Sequence, residues 1–319
     1  MALKFKKALY LAVLACLIVF AVGCKIKNGA AGSSPSTGCQ PPFTIPARDS
    51  YVHYLEFMAV GDAGAGDDNQ RSVARSMAEY AIINPVEFVL YLGDNFYPSG
   101  VNSVDDPKFQ THFEDIFDKT VLNMPFYVVA GNHDYKGNVH AQVAYTDHSS
   151  RWHMPALYYT FTIRHNDSDF VQFFALDTTP IAAWDNTDEQ IAWLEDVLSR
   201  SEARWKIVFG HHPIYSNGQH GDSTRMIGWV FPLLEKYGVD VYLSGHDHDL
   251  QILKPVNATG VHYLVIGTGS SYRDTQCREN TVYCASKLGF MGFRLSHTEL
   301  VVFVILDDGS IDYCHIISK

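Results

Sequence analysis

The stretch "LYLGDNFYPSG", residues 90–100, decides how this chain is read. A short apolar run ends in a glycine, and Asp94, Asn95 and Tyr97 follow at once, before a proline. An aspartate and a tyrosine at the mouth of a strand are either a turn or metal ligands, and other strand ends have to decide between the two. Four more carry groups of the same kind: "AVGDAG" (59–64) offers Asp62, "VAGNHD" (129–134) offers Asn132 and His133, "VFGHHP" (208–213) offers His211 and His212, and "LSGHDHDLQ" (243–251) offers His246 and His248. Each cluster follows a glycine, which permits the sharp exit that aims a side chain across a sheet edge. In α/β sheets the C-terminal strand ends are where sites assemble. Taken singly, GD is a common turn, NH can cap a helix and HH beside proline can simply pack. Turn chemistry does not produce five in order at the same topological position.

Working outward, strand-like runs occupy 55–60, 88–92, 126–130, 206–210 and 239–245, and helical apolar spacing occupies 70–83, 107–118, 188–200 and 224–237. Asp188 is a candidate N-cap for the third of these helices. After Gly245 the chain turns to strands with little helix, as in "HYLVIGT", "GFMGFRLS" and "ELVVFVIL". Strand followed by helix predicts a sheet with helices on its outer faces, and the β-rich end predicts a second sheet packed on the first. The expectation is an α/β domain over 51–319, with two mixed β-sheets sandwiched between helical layers.

The chain has 319 residues, 47% of them hydrophobic, and a formal charge of −11. That acidity excludes nucleic acid as a partner, because phosphate-backbone binding needs clustered Lys and Arg. Residues 1–23 read as an export signal, with Lys4, Lys6 and Lys7 ahead of an apolar run. Ala21 and Gly23 before Cys24 look like a bacterial lipobox, which would make Cys24 a lipidated N-terminus and the sole membrane link; the alternative is an uncleaved anchor. Either way the body of the protein is exported, to the cell envelope or beyond. Residues 24–50 are rich in Gly, Ser and Pro and read as a tether. Four cysteines remain, Cys39, Cys277, Cys284 and Cys314; Cys277 and Cys284 flank a short polar loop, which favours a local bridge there and, by elimination, Cys39 with Cys314.

The series GDAG, GDNFY, GNHD, GHHP and GHDH resembles the calcineurin-like metallophosphoesterases and, within them, the tartrate-resistant, mammalian-type purple acid phosphatases. Connecting segments such as "GHHPIYSNGQHGDS" (210–223) extend the likeness over roughly residues 55 to 270. The resemblance implies a dinuclear centre with Asp62, Tyr97 and His248 on one ion, Asp94 bridging, and Asn132, His211 and His246 on the other. Hard anionic oxygens on the first ion favour Fe(III), and the amide and imidazoles of the second suit divalent Fe, Zn or Mn. It further implies hydrolysis of phosphate monoesters at acid pH by a metal-held hydroxide, with His133 and His220 as acid–base or phosphate-orienting groups. His212 stands where relatives often have tyrosine and is left off the metal list. A phosphodiesterase or nucleotide pyrophosphatase on the same fold is the alternative, and an inactive surface-binding lipoprotein is disfavoured because no ligand position is lost. The long loop that mammalian relatives carry between the segment matching "ALDTTP" (175–180) and the helix before GHHP is reduced here to "IAAWDNTDEQ" (181–190), so activation by cutting that loop is not expected to carry over.

Overall fold

The computed structural model describes residues 39, 43, 45, 52–183, 185, 187–255 and 260–319; the expected leader, Cys24 and most of the tether lie outside them. The strands are β1 (Leu55–Val60), β2 (Phe88–Leu92), β3 (Phe126–Val129), β4 (Trp152–His153), β5 (Tyr159–His165), β6 (Ser168–Ala175), β7 (Trp205–Phe209), β8 (Val241–Ser244), β9 (Leu250–Leu253), β10 (His262–Ile266), β11 (Thr281–Ala285), β12 (Gly289–Leu295), β13 (Glu299–Leu306) and β14 (Ile311–Ser318). They form two seven-stranded mixed sheets, ordered β14-β13-β12-β1-β2-β3-β4 and β11-β9-β10-β8-β7-β6-β5. The runs LEFMAV and FVLYL are buried at every position because they are central parallel strands covered on both faces.

The two sheets pack face to face over an aromatic core in which Phe57 stacks on Phe88 at 5.2 Å and on Phe293 at 4.6 Å. The helices are α1 (Asp68–Ile83), α2 (Val139–Ala144), α3 (Thr178–Ala182), α4 (Asp188–Ser199), α5 (Thr224–Trp229) and α6 (Phe231–Lys236). Helix α1 buries Val73, Ala74 and Met77 against the outer face of the first sheet, and α4 to α6 bury Leu194, Leu198 and Leu234 against the second. Asp67 starts α1 by accepting the Gln70 amide at 2.9 Å.

Three expectations change in detail. The β-rich C-terminal part does not make the second sheet: β9 to β11 complete one sheet and β12 to β14 the other, because β12 pairs antiparallel with the free edge of β1. The N-cap of α4 is Thr187, and Asp188 is its first helical residue. The helix expected over 107–118 is a six-residue π-helical turn, Phe109–Glu114, which seats Phe113 edge-on to Trp152 at 5.0 Å. Both expected disulfides are present, Cys39–Cys314 onto β14 and Cys277–Cys284 across the loop before β11.

One pH dependence follows from the packing. His262 on β10 faces His315 on β14 with ring centroids 5.6 Å apart. Burial, and then the His315 charge, pushes His262 down to about 4. An unfolded histidine takes up its proton near pH 6.5, whereas the folded one does so only near 4. Stability is therefore full above pH 6.5 and is lost as pH falls to 4, by at most about 3 kcal/mol from this residue. Urea midpoints measured across that window are expected to fall in the parent and to fall less in His262→Gln; equal slopes would remove His262 from the account.

Candidate metal centre

Strands β1, β2 and β3 run parallel in one sheet, and β7 and β8 run parallel in the other. Their C-terminal ends deliver two chemically different sets of side chains. The first sheet presents Asp62, Asp94, Tyr97, Asn132 and His133, and the second presents His211, His212, His246 and His248. The acidic oxygens thus all come from one sheet, and four of the five imidazoles from the other.

The strand exits carry strain. Asp62, Asp94 and His246 have φ of 56°, 51° and 69°, in a region that costs a non-glycine residue of order 1–3 kcal/mol each. Two glycines explain how the exits fit together. A Cβ on Gly131 would lie 2.2 Å from Asp94 Oδ1, and one on Gly245 would lie 2.4 Å from Asp62 Oδ2. The bare backbones let the carboxylates bind the facing exits: Asp94 Oδ1 accepts the His133 amide and Asp62 Oδ2 accepts the His246 amide, each at 2.8 Å.

That leaves one oxygen of each carboxylate for the interior. The Tyr97 hydroxyl lies 3.0 Å from Asp62 Oδ1 and 3.0 Å from Asp94 Oδ2, and 3.3 Å from His248 Nε2. Asp62 Oδ1 is also 3.2 Å from His248 Nε2. The His248 ring is oriented by its Nδ1 on Ser271 Oγ at 2.6 Å. A second group of atoms forms around His211. Its Nδ1 donates to the Leu92 carbonyl at 2.9 Å, so Nε2 presents a lone pair toward Asn132 Oδ1 at 3.1 Å, His246 Nδ1 at 3.2 Å and Asp94 Oδ1 at 3.5 Å. A backbone carbonyl holding the other ring nitrogen is the usual support for a metal-binding histidine.

The electrostatics ask for positive charge. Burial, followed by the Asp62 and Asp94 charges, raises the Tyr97 phenol far above its ordinary value, so only a strong cation could ionise it. Burial opposes charge on His211, yet Asp94 and Asp62 outweigh it and raise the ring's affinity for a proton. Burial also works against the charge on Asp62, and the His248 bond and the His211 charge override it and hold that carboxyl below its usual range. Burial and the His211 charge press His246 down to about 2, which keeps it neutral and able to coordinate. Two buried carboxylates, a phenol and several inward lone pairs fit two cations sharing Asp94, with hard oxygens toward one and nitrogens toward the other.

The seven residues expected as metal ligands and His133 meet at this crest, and His220 joins them through its ring, which packs on His246 at 4.2 Å. His212, set aside from the metal list, is also brought in: it can place a ring nitrogen within 4.8 Å of those of His211 and His246. Its Nδ1 is 3.0 Å from Thr178 Oγ1, and burial with the His211 and His246 charges keeps the ring neutral. Asn95 of the opening stretch faces inward and binds the Val129 carbonyl and Gln142, both at 2.9 Å, so its role is to hold the exits of β2 and β3 together. Four supporting residues escape sequence reading. Buried Asp134 accepts the Gly131 and Asn95 amides at 2.8 and 3.1 Å. Asp247 accepts Ser216 Oγ and the His220 amide and so carries the 216–220 segment to the centre. Lys136 Nζ is 3.3 Å from His133 Nε2, and Arg273 Nη1 is 3.1 Å from His220 Nε2. The single available signal was the position of Asp247 and Asp134 inside GHDH and GNHD.

A model described as calcineurin-like phosphoesterase matches residues 55–250, and the chain belongs to that family. Tartrate-resistant acid phosphatase type 5 of Oryctolagus cuniculus is 39% identical to it over 249 residues, 71% of this chain and 76% of that protein. Purple acid phosphatase 4 of Arabidopsis thaliana is 32% identical over 284 residues, covering 81% and 82% of the two chains. Among solved structures, "GAP50 the anchor in the inner membrane complex of Plasmodium" superposes with a TM-score of 0.76 at 26% identity, over 83% of this chain and 89% of that one.

Proposed function

We propose that this protein is an exported acid phosphatase that hydrolyses phosphate monoesters at a dinuclear centre of Fe(III) with divalent Fe, Zn or Mn. Asp62, Tyr97 and His248 hold the first ion, Asn132, His211 and His246 the second, and Asp94 both. The observation that carries this reading is the Tyr97 hydroxyl at 3.0 Å from both Asp62 and Asp94, beside the lone-pair cluster of His211, His246 and Asn132. When bound, such ions polarise a phosphoryl oxygen and acidify water.

The chain's own residues divide the remaining work. His133 Nδ1 donates to the Pro98 carbonyl at 2.7 Å, so Nε2, which lies 3.3 Å from Lys136 Nζ, is the nitrogen that faces a substrate. In the imidazolium form both nitrogens carry protons, and Nε2 can then protonate the departing alkoxide. His220 Nε2 accepts from Arg273, which suits that ring to orienting the phosphoryl group rather than to giving up a proton. Lipidation at Cys24 is part of the proposal and rests on the sequence of residues 1–24.

Colour tests the metal assignment. A phenolate on Fe(III) gives a charge-transfer band in the visible, and Zn, Mn or Mg with the same tyrosine gives none. The aerobic, iron-loaded protein is expected to be violet to pink, and Tyr97→Phe is expected to bleach it while leaving the fold intact. A colourless iron-loaded parent, or a Phe variant that keeps the band, would show that Tyr97 is no ligand. Turnover of p-nitrophenyl phosphate against its bis ester separates a monoesterase from a diesterase.

A further inference from the structure

The chain is acidic overall, yet two arginines stand at the edge of its metal centre without a carboxylate. Arg273 and Arg278 lie in the loop between β10 and β11, and among the described residues neither forms an ion pair. The loop is built onto the site. The Arg273 amide donates to the His248 carbonyl at 2.7 Å, and its guanidinium reaches His220 Nε2 at 3.1 Å.

Beyond Arg273 the loop is held in shape rather than left loose. The Cys277–Cys284 disulfide closes it. The Arg278 amide donates to Thr281 Oγ1 at 2.8 Å, and the same hydroxyl accepts from Asn217 Nδ2 at 2.7 Å, which ties the loop to the segment carrying His220. The Thr275 amide donates to Ser286 Oγ at 2.9 Å. Between the two segments lies a cavity of about 410 Å³ walled by Asn217, Gln219, Arg273, Asp274, Gln276 and Arg278. Two guanidiniums and three amide side chains offer donors there against the single carboxylate of Asp274.

Donor-rich walls with two guanidiniums, that of Arg273 held on His220, suit a phosphate, because the guanidinium fork matches its oxygens in pairs. The metal centre already accounts for the phosphoryl group that reacts. We infer that the Arg273–Arg278 cavity is a second anion subsite, and that the substrates favoured by this enzyme are small bisphosphorylated molecules whose leaving group carries a second phosphate into it. The reaction stays a hydrolysis: water enters, one P–O ester bond breaks, and orthophosphate and the alcohol monophosphate leave. Arg273 joins the two subsites, touching His220 on one side and lining the cavity on the other. The inference rests on the phosphatase reading for its reacting site.

The test compares propanediol bisphosphate with propyl phosphate, using the metal-loaded full chain. In the parent kcat/KM is expected to favour the bisphosphate by about tenfold or more, the scale of one charge-assisted hydrogen bond. Arg278→Gln, at an exposed position that carries no folding burden, is expected to erase the preference while propyl phosphate turnover changes less than twofold. Calorimetry supplies a readout independent of turnover. Methylenebisphosphonate is expected to bind the parent more tightly than methylphosphonate, and Arg278→Gln to bind both alike. No preference in the parent, or a preference that survives Arg278→Gln, overturns the subsite. If no monoester is hydrolysed at all, the phosphatase reading falls, and the calorimetric preference alone decides whether the cavity binds a second anion.

Discussion

Asp94→Ala is expected to abolish phosphatase activity and to strip the protein of both metal ions. Asp94 is buried, and its two oxygens divide between the two clusters: Oδ2 meets the Tyr97 hydroxyl at 3.0 Å, and Oδ1 lies 3.5 Å from His211 Nε2 while accepting the His133 amide. Among the described residues Asp62 also brings an oxygen within 4.8 Å of the His211 ring, but Asp94 is the carboxylate assigned to both ions. Asp62→Ala and Asn132→Ala are each expected to weaken one site preferentially and to leave roughly half of the bound metal. The fold itself is expected to survive Asp94→Ala, because the change removes a buried charge along with its partner ion rather than stranding either. Metal content by plasma emission, measured beside p-nitrophenyl phosphate turnover, checks both halves. Equal metal in Asp94→Ala and the parent would end the bridging role.

The residues proposed as metal ligands were legible because each is local to a strand end. GDNFY, GNHD, GHHP and GHDH each put a glycine, an exit and a candidate ligand within a few residues, and the strand before each is mostly apolar. The same locality explains why the edges of α1, expected over 70–83 and found at Asp68–Ile83, were nearly right. The remainder depends on contacts between distant segments. That β12 rather than a new sheet would close on β1 is a pairing across more than 230 residues. Ser271 behind His248 and Arg273 beside His220 sit in a loop with no motif of its own. His212 looked dispensable beside a proline, and its position against Thr178 and His246 follows only from how β6 and β7 align.

Strain and charge at the crest belong to one design. Asp62, Asp94 and His246 held at positive φ, and carboxylates buried beside one another, are costs that the fold bears. Bound cations would offset the charge but not the backbone strain. The backbone cost is therefore carried by the surrounding packing, by exits clamped through Asp134, Asn95 and Asp247. A site fixed in this way would change little on binding metal, which would keep reorganisation out of the reaction.

His133→Ala and His220→Ala are each expected to keep both metals and to lose roughly 10²-fold or more in kcat, the usual scale for a positioned acid or base. The His133 ring nitrogens have other partners: Nδ1 is committed to Pro98, and Nε2 lies 3.3 Å from Lys136 Nζ and 4.0 Å from Asp94 Oδ2. The two losses are expected to differ in kind. A proton donor matters most when the leaving group is a poor one, so His133→Ala should cripple hydrolysis of an alkyl phosphate far more than that of p-nitrophenyl phosphate, whose phenolate departs unaided. A group that only orients the phosphoryl oxygens is indifferent to what departs, so His220→Ala should slow both esters by the same factor. Loss of metal from either variant would make that histidine a ligand, and identical leaving-group dependence in the two would mean that the proton does not come from His133.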